Sequence, residues 1–250
     1  MQYGELFGLN TNDSVFMEHA DSELFQNLRE FINLRQLYSA GILEVRTKLE
    51  ILDEEFQVRY DHNPIHHMET RLKTPRSILE KLQRRDLPTT LDAMRENILD
   101  IAGIRVICYY IDDIYRMAEL LITQDDITPI RTRNYIAHPK PNGYRSLHLV
   151  VSVPVFLAER RELVPVEIQI RTIAMDFWAS LDHEMRYKKE DNVPEQLREE
   201  LRECAEAAAA LDIKMQDIHQ KLHSAAKESA QAEMKECGGA ANSVLLHNAD

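Results

Sequence analysis

Glycine is scarce in this chain, seven residues in 250, and neither GxxxxGK[ST] nor GxGxxG occurs. The signatures of a P-loop and of a dinucleotide-binding fold are therefore missing. Cysteine is scarcer still. Cys108, Cys204 and Cys237 are odd in number and far apart, which excludes a disulfide framework and a CxxC zinc half-site and reads as reduced thiols. No stretch of about 18 uninterrupted apolar residues is present to span a bilayer, and the N-terminus lacks the charged-then-apolar order of a signal peptide. The expected compartment is the cytoplasm. HExxH is absent as well, so His62, His66 and His67 read as surface or hydrogen-bonded imidazoles rather than zinc ligands. Positive charge is in overall deficit: a net charge of −12 argues against sequence-independent binding to duplex nucleic acid, which rests on neutralising many phosphates.

The positive charge that is present is gathered in two places. Between Arg71 and Arg85, six basic residues (Arg71, Lys73, Arg76, Lys81, Arg84, Arg85) face one acid, Glu80, a local +5 in an acidic protein. A second island, Arg131, Arg133, Lys140 and Arg145, contains no acid. Two short positive fields suit a compact polyanion such as a nucleotide better than a long backbone.

With 44% hydrophobic residues the chain can fill a core, and one globular body is expected. Residues 1–20 carry no clear period and read as a loosely ordered lead. From Asp21 to Arg59 apolar residues recur at helical spacing (Leu24, Leu28, Phe31; Leu43, Leu49, Leu52, Phe56), giving one or two amphipathic helices with Gly41 as the interruption. A turn at 61–64 leads to a strand at 65–73, then helices at 75–84 and 89–98 on either side of Pro88. Residues 104–110 (IRVICYY) form a β-rich run, and Asp112-Asp113 supplies N-cap chemistry for a helix to about Ile122. Further strands are expected at 127–135, 146–153 and 164–171. Pro139, Pro141 and Asn142-Gly143 make 136–145 a shaped loop. This order predicts an α/β or α+β fold, a mixed sheet with helices packed on it.

After Pro194 the pattern changes. Leu197, Leu201, Cys204, Ala208, Leu211, Met215, Ile218 and Leu222 are spaced as a heptad seam, so a helix over about 195–235 is expected. It packs back on the first helical segment or pairs between subunits. The Cys237-Gly-Gly end reads as a frayed tail.

Chemistry concentrates at a few positions. In the strand 164–171, Glu167, Gln169 and Arg171 share one face, while Val166, Ile168 and Ile170 share the other. That polar face is either a solvated sheet surface or a functional one. Asp100 stands at the entry to the run 101–110, as a turn residue or as a carboxylate that meets Glu167 if the two strands are neighbours. Two converging carboxylates would bind Mg²⁺, a hard ion that prefers oxygen ligands and bridges to substrate phosphates. Arg71 and Lys73 alternate onto one strand face, and Ser77, Lys81 and Arg84 follow one helical face; they are phosphate contacts, with Ser77 a hydroxyl near a helix start, or a solvated basic surface. Tyr144, after Gly143, is placed to stack on a base or to lean on the core.

Four segments in order, RLKTPRSILEKL (71–82), DIAGIRVICYY (100–110), HPKPNGYRSLH (138–148) and VEIQIRTIAMDFWASLDHEMRYK (166–188), give the chain a family resemblance. It resembles a small alarmone synthetase, a RelA/SpoT-type synthetase domain, over roughly 60–190. The resemblance implies a nucleotidyltransferase-like mixed β-sheet flanked by helices, with an N-terminal helical extension (1–60), the synthetase domain (61–190) and a C-terminal heptad helix and tail (191–250). It implies transfer of the β,γ-pyrophosphate of ATP to the 3′-hydroxyl of GDP or GTP, with GMP a further acceptor to consider, releasing AMP with Mg²⁺ as cofactor.

Carried over by motif, Arg71 and Lys73 lie at the adenine and phosphates of ATP, Lys81 at its phosphates and Arg105 beside the adenine or triphosphate. Asp100 is a Mg²⁺ ligand. Tyr144 stacks on guanine with Lys140, Asn142 and His148 close to the acceptor nucleotide. Glu167 is the second metal ligand or the base near the 3′-hydroxyl, supported by Gln169. Long members of the family carry a hydrolase with a His-Asp metal motif; no His-Asp dipeptide occurs here, so synthesis without hydrolysis is expected. Asp176 stands where some small synthetases have Asn, a departure that leaves control by product at a subunit cleft an open question of the sequence. A homo-oligomer is expected, commonly a tetramer in this group. The other functions compatible with the pattern are a toxin-like pyrophosphokinase acting on tRNA 3′ ends and an inactive oligomeric scaffold.

Overall fold

The computed structural model describes residues 23–187 and 194–245. The predicted lead over residues 1–20 lies outside the described residues. In chain order the elements are α1 (Glu23–Arg59), β1 (Ile65–Leu72), α2 (Pro75–Gln83), α3 (Leu91–Asn97), β2 (Ala102–Cys108), α4 (Ile111–Ile122), β3 (Thr128–Asn134), β4 (Leu147–Phe156), β5 (Arg161–Thr172), α5 (Ile173–Tyr187) and α6 (Glu195–Leu245).

α1 is a single helix, and Gly41 does not interrupt it. The residue serves a different purpose: a Cβ at position 41 would lie 2.6 Å from Val164 Cγ1, so the missing side chain lets the helix close on β5. Leu34, Tyr38, Ile42, Val45, Leu49 and Phe56 recur at helical spacing and are all buried, which fixes the face α1 turns to the sheet.

The sheet has five strands in the order β1-β2-β5-β4-β3. β1 and β2 are antiparallel, β2 and β5 parallel, and β5, β4 and β3 antiparallel in succession. Because side chains alternate across a strand, β5 divides cleanly. Val164, Val166, Ile168 and Ile170 join α1 and the apolar face of α4 (Ile114, Met117, Leu121) in one core cluster. Glu167, Gln169 and Arg171 are left on the opposite face.

Capping explains the helix starts. Thr74 accepts the Ser77 N–H at 3.2 Å ahead of Pro75, and Thr90 accepts the Ala93 N–H at 3.2 Å. For α4 the expected roles of the two aspartates separate: Tyr110 is the N-cap, and Asp113 reaches back to accept its N–H at 3.1 Å. Asp113 also takes His62 Nε2 at 2.9 Å, a hydrogen-bonded imidazole as expected. Asp112 turns outward instead and accepts from Gln216 and Gln220 of α6 at 2.7 and 2.9 Å.

α6 does not take the first of its two expected arrangements, packing on the first helical segment. It packs against α5 and α4 rather than α1. The heptad seam is not the docking face either: Leu197, Leu211, Met215, Ile218 and Leu222 are 40–66% exposed, while Ala205 and Asp212 are buried. Trp178 Nε1 donates to the Leu201 carbonyl at 2.8 Å and Thr172 Oγ1 to Asp212 Oδ2 at 2.6 Å, so the body offers small and polar partners that a leucine stripe would not match. Burial pushes the Asp212 carboxyl up from its ordinary value, against the Thr172 bond and the charge of Arg145. The helix also continues through Gly238 and Gly239 to Leu245, where a frayed tail was expected; Ala240 and Ala241, which follow the glycines, offset part of their cost in a helix. Cys108 is buried and Cys204 exposed, both as free thiols.

Candidate active site

The strand registers align polar residues in rows across the face of the sheet that α1 leaves uncovered. One row runs Glu69, Arg105, Gln169, His148, Arg133 from β1 to β3. Its neighbour runs Arg71, Gly103, Glu167, Val150, Arg131. All five strands therefore contribute to one surface. It holds a cleft lined by Glu69, Arg71, Lys73, Asp100, Gly103, Arg105, Glu167 and Gln169, among others.

At one end of the cleft Asp100 sits in the turn before β2. Its Oδ2 accepts from Lys73 Nζ at 2.9 Å and Lys81 Nζ at 2.6 Å. Burial pushes the Asp100 carboxyl up, but the two ammonium groups outweigh it and hold the carboxyl below its ordinary value. Burial shifts Lys81 downward as well, with Lys73 and Arg85 adding to the shift and Asp100 opposing it. Asp100 Oδ1 is buried without a hydrogen-bond partner among the described residues.

Glu167 lines the same cleft. His148 Nδ1 lies 3.4 Å from its Oε1, and Gln169 Nε2 donates to Oε2 at 3.0 Å. Burial and the charge of Asp100 raise the Glu167 carboxyl, yet His148 and Gln169 prevail and hold it below its ordinary value. Glu167 is thus anionic at neutral pH. From there a closed ring of contacts runs through Gln169, Arg171, Tyr144 and His148. Arg171 Nη2 donates to Gln169 Oε1 at 2.9 Å and to Tyr144 Oη at 2.6 Å, and Tyr144 Oη meets His148 Nε2 at 2.7 Å. Lys140 Nζ lies 4.6 Å from the Tyr144 ring centroid and 4.7 Å from that of Tyr135.

The expected site residues sort as follows. Arg71, Lys73, Lys81, Asp100, Arg105, Glu167 and Gln169 gather at the cleft, and Tyr144, Lys140 and His148 stand beside it. Ser77 does not join them: its hydroxyl accepts from Thr74 Oγ1 at 2.9 Å, within the helix cap. Asn142 is likewise occupied, Oδ1 accepting the Tyr144 N–H at 3.3 Å and Nδ2 donating to Asp182 at 3.4 Å, which shapes the loop. Of the two positions open to Tyr144, the structure shows the ring leaning on Trp178 and Ala205, while its hydroxyl reaches the ring of contacts. Gly143, at φ +87°, makes the turn beneath it, and a Cβ there would lie 2.5 Å from Ala205 Cβ, so α6 backs the loop directly.

Four further residues belong to the surface: Glu69, Arg171 and the edge-strand pair Arg131 and Arg133. Their alternation with Glu167 or with one another was visible in sequence; the strand order that aligns them was not.

Among the described residues no group of three or more His, Cys, Asp or Glu is arranged to hold a metal ion. Two carboxylates facing one cleft, one with an unused buried oxygen, still suit a hard cation that fills its remaining positions with water and phosphate oxygens, as Mg²⁺ does.

Comparison with known proteins bears on this geometry. Residues 70–192 match a family described as a region found in RelA / SpoT proteins. The GTP pyrophosphokinase YwaC of Bacillus subtilis is 45% identical over 195 residues, covering 78% of this chain and 93% of the relative. The small alarmone synthetase 1 of Bacillus subtilis bound to its product pppGpp superposes with a TM-score of 0.73 at 37% identity, over 78% of this chain and 99% of that one. The same protein bound to AMPCPP gives a TM-score of 0.68 at 35% identity, over 78% and 99%.

A five-stranded mixed sheet whose open face converges cations on two carboxylates is thus the fold of small alarmone synthetases. The chain belongs to the RelA/SpoT family.

Proposed function

We infer that this chain is a GTP pyrophosphokinase that makes the alarmone (p)ppGpp, moving the β,γ-pyrophosphate of ATP to the 3′-hydroxyl of GDP or GTP. The observation that carries this reading is the placement of Asp100 and Glu167 in the lining of one cation-rich cleft. Arg71, Lys73, Lys81 and Arg105 form the ATP side. Tyr144, Lys140, His148 and Gln169 form the acceptor side, with the Tyr144 ring as the platform for guanine. Arg131 and Arg133, on the same face of the edge strand, are placed for the acceptor's 5′-phosphates.

Mg²⁺ held by Asp100, through its unused Oδ1, and by Glu167 would neutralise charge on the triphosphate. The protein's own contribution is positional and electrostatic. Lys73 and Lys81 fix the Asp100 carboxylate and extend positive charge toward the phosphates. Glu167, anionic and facing the acceptor, takes the 3′-hydroxyl proton as that oxygen bonds to the β-phosphorus and the bond from that phosphorus to the AMP oxygen breaks. Gln169 and His148 hold the Glu167 carboxylate in place. The reading extends to a homotetramer built with the helical extensions, to synthesis without hydrolysis, and to a cytoplasmic enzyme; no helix among the described residues is long and apolar enough to cross a membrane.

Incubating purified protein with Mg²⁺, ATP and GDP should yield AMP and a 3′-pyrophosphorylated guanosine nucleotide, and ATP with tRNA alone should yield neither. Folded protein that makes no such product from GDP or GTP contradicts the reading.

A further inference from the structure

One carboxylate stands between the two nucleotide sides of the cleft and serves an arginine from each. Asp176 lies in the first turn of α5, directly after β5. Its Oδ1 accepts from Arg171 Nη1 at 3.1 Å and lies 3.6 Å from Arg105 Nε.

The two arginines are held unequally. Arg171 is 5% exposed, and its other amino nitrogen already serves Tyr144 and Gln169. A guanidinium buried to that degree requires a counter-charge, and Asp176 supplies it. Arg105 is loosely tied. Nε is buried without a hydrogen-bond partner among the described residues in both arginines, but Arg171 makes three bonds through its amino nitrogens, whereas Arg105 meets Asp176 only at 3.6 Å, beyond bonding distance. Its remaining anchor is Glu69, at 3.0 Å, whose side chain is 55% exposed and therefore well screened. Arg105 is the arginine that a bound anion can draw away; Arg171 is the one that stays.

Resting on the assignment of Arg105 to ATP and of Tyr144 to the acceptor, we propose that Asp176 is a positioning residue that couples the two nucleotide subsites. When ATP engages Arg105, the Asp176 carboxylate is left to Arg171 alone. The stronger pair fastens Arg171 on Tyr144 and Gln169, and with them the guanine platform and the support of Glu167. Coupling between sites is reciprocal, so the acceptor must tighten ATP binding by the same factor.

Titration calorimetry on the full chain with Mg²⁺ tests this, using GDP and AMPCPP, whose methylene bridge resists cleavage, each alone and each in the presence of the other. In the wild type each nucleotide should tighten the other by about five-fold, the low end for coupled sites. In Asp176→Asn, which keeps the shape and removes the charge, the factor should fall to about one. Asp176→Glu, restoring the charge on a longer arm, should recover part of it, a rescue that a merely structural role would not give. Should Asp176→Asn fail to fold, Asp176→Ser, equally uncharged and smaller, should also bring the factor to about one. A wild-type factor of one, or a wild-type factor retained in the folded variants, overturns the coupling and leaves the pyrophosphokinase reading standing. A wild type that binds neither nucleotide overturns both.

Discussion

Two faces of the same strand, β5, do opposite work at a spacing of one residue. Val164, Val166, Ile168 and Ile170 are no more than 1% exposed and sit at the centre of the core. Glu167 and Gln169 line the cleft, Arg171 lies buried beside them, and the three spend their hydrogen bonds on one another, on Tyr144 and on Asp176. The difference teaches that stability and chemistry are separable here by parity: changes at even positions should be read in folding, and changes at Glu167 and Gln169 in turnover.

The sharpest test of that separation is Glu167→Gln, nearly the same shape without the charge. Turnover should fall by roughly 10²–10⁴-fold, the range for losing a positioned proton acceptor, while the thermal midpoint stays near that of the wild type; a variant keeping a tenth of the activity would break the comparison from the odd side. Its even counterpart, Ile168→Ala, should cost about 2–5 kcal/mol in denaturant unfolding, as core truncations do, with nucleotide KM values unchanged in the protein that remains folded. A large rise in KM would show that the faces are not independent.

His148→Gln probes the electrostatics of the odd face more gently. Glu167 is depressed largely by His148, so its anionic form is present above the ordinary carboxylate range and is lost only as pH falls through the lowered value. Without the imidazole the carboxyl should rise, and the acid limb of the kcat/KM profile should move to higher pH; a limb that stays in place means another group sets it. The smallest effect is expected where α6 meets the end of β5. Asp212 is raised by burial, so its contribution to stability is greatest at low pH and falls as pH rises through the folded value. Asp212→Asn keeps an acceptor for Thr172 and should therefore leave the melting temperature at neutral pH unchanged or slightly higher, whereas a clear drop would show that the charge itself holds the helix.

The parity of β5 was legible because period two is local: it needs only the strand. Capping residues were partly legible for the same reason, yet Asp112 and Asp113 could not be told apart until α6 arrived to take one of them. The meeting of Asp100 with Glu167 was conditional, since it depends on β2 and β5 being parallel neighbours with Ala102 opposite Val166, a pairing across more than sixty residues of chain that no local pattern encodes. α6 shows the limit most plainly. Its heptads declare a helix and name the residues that share a stripe, but which face docks was decided by Ala205 fitting over Gly143 and by Asp212 reaching Thr172. Ser77 and Asn142 were drawn off by nearer partners, and Arg171, in plain alternation with Glu167, gained meaning only when Tyr144 and Asp176 closed around it.

Gly103 lies in the row between Arg71 and Glu167 and forms part of the cleft floor. Its backbone adopts no conformation reserved for glycine, and the nearest atom to an added Cβ, the Arg71 carbonyl oxygen, is at an ordinary contact distance of 3.4 Å. Nothing in the backbone demands the missing side chain; the room above it does. The floor of the cleft is thus a depth stop, one that a methyl group at position 103 would raise without a backbone clash.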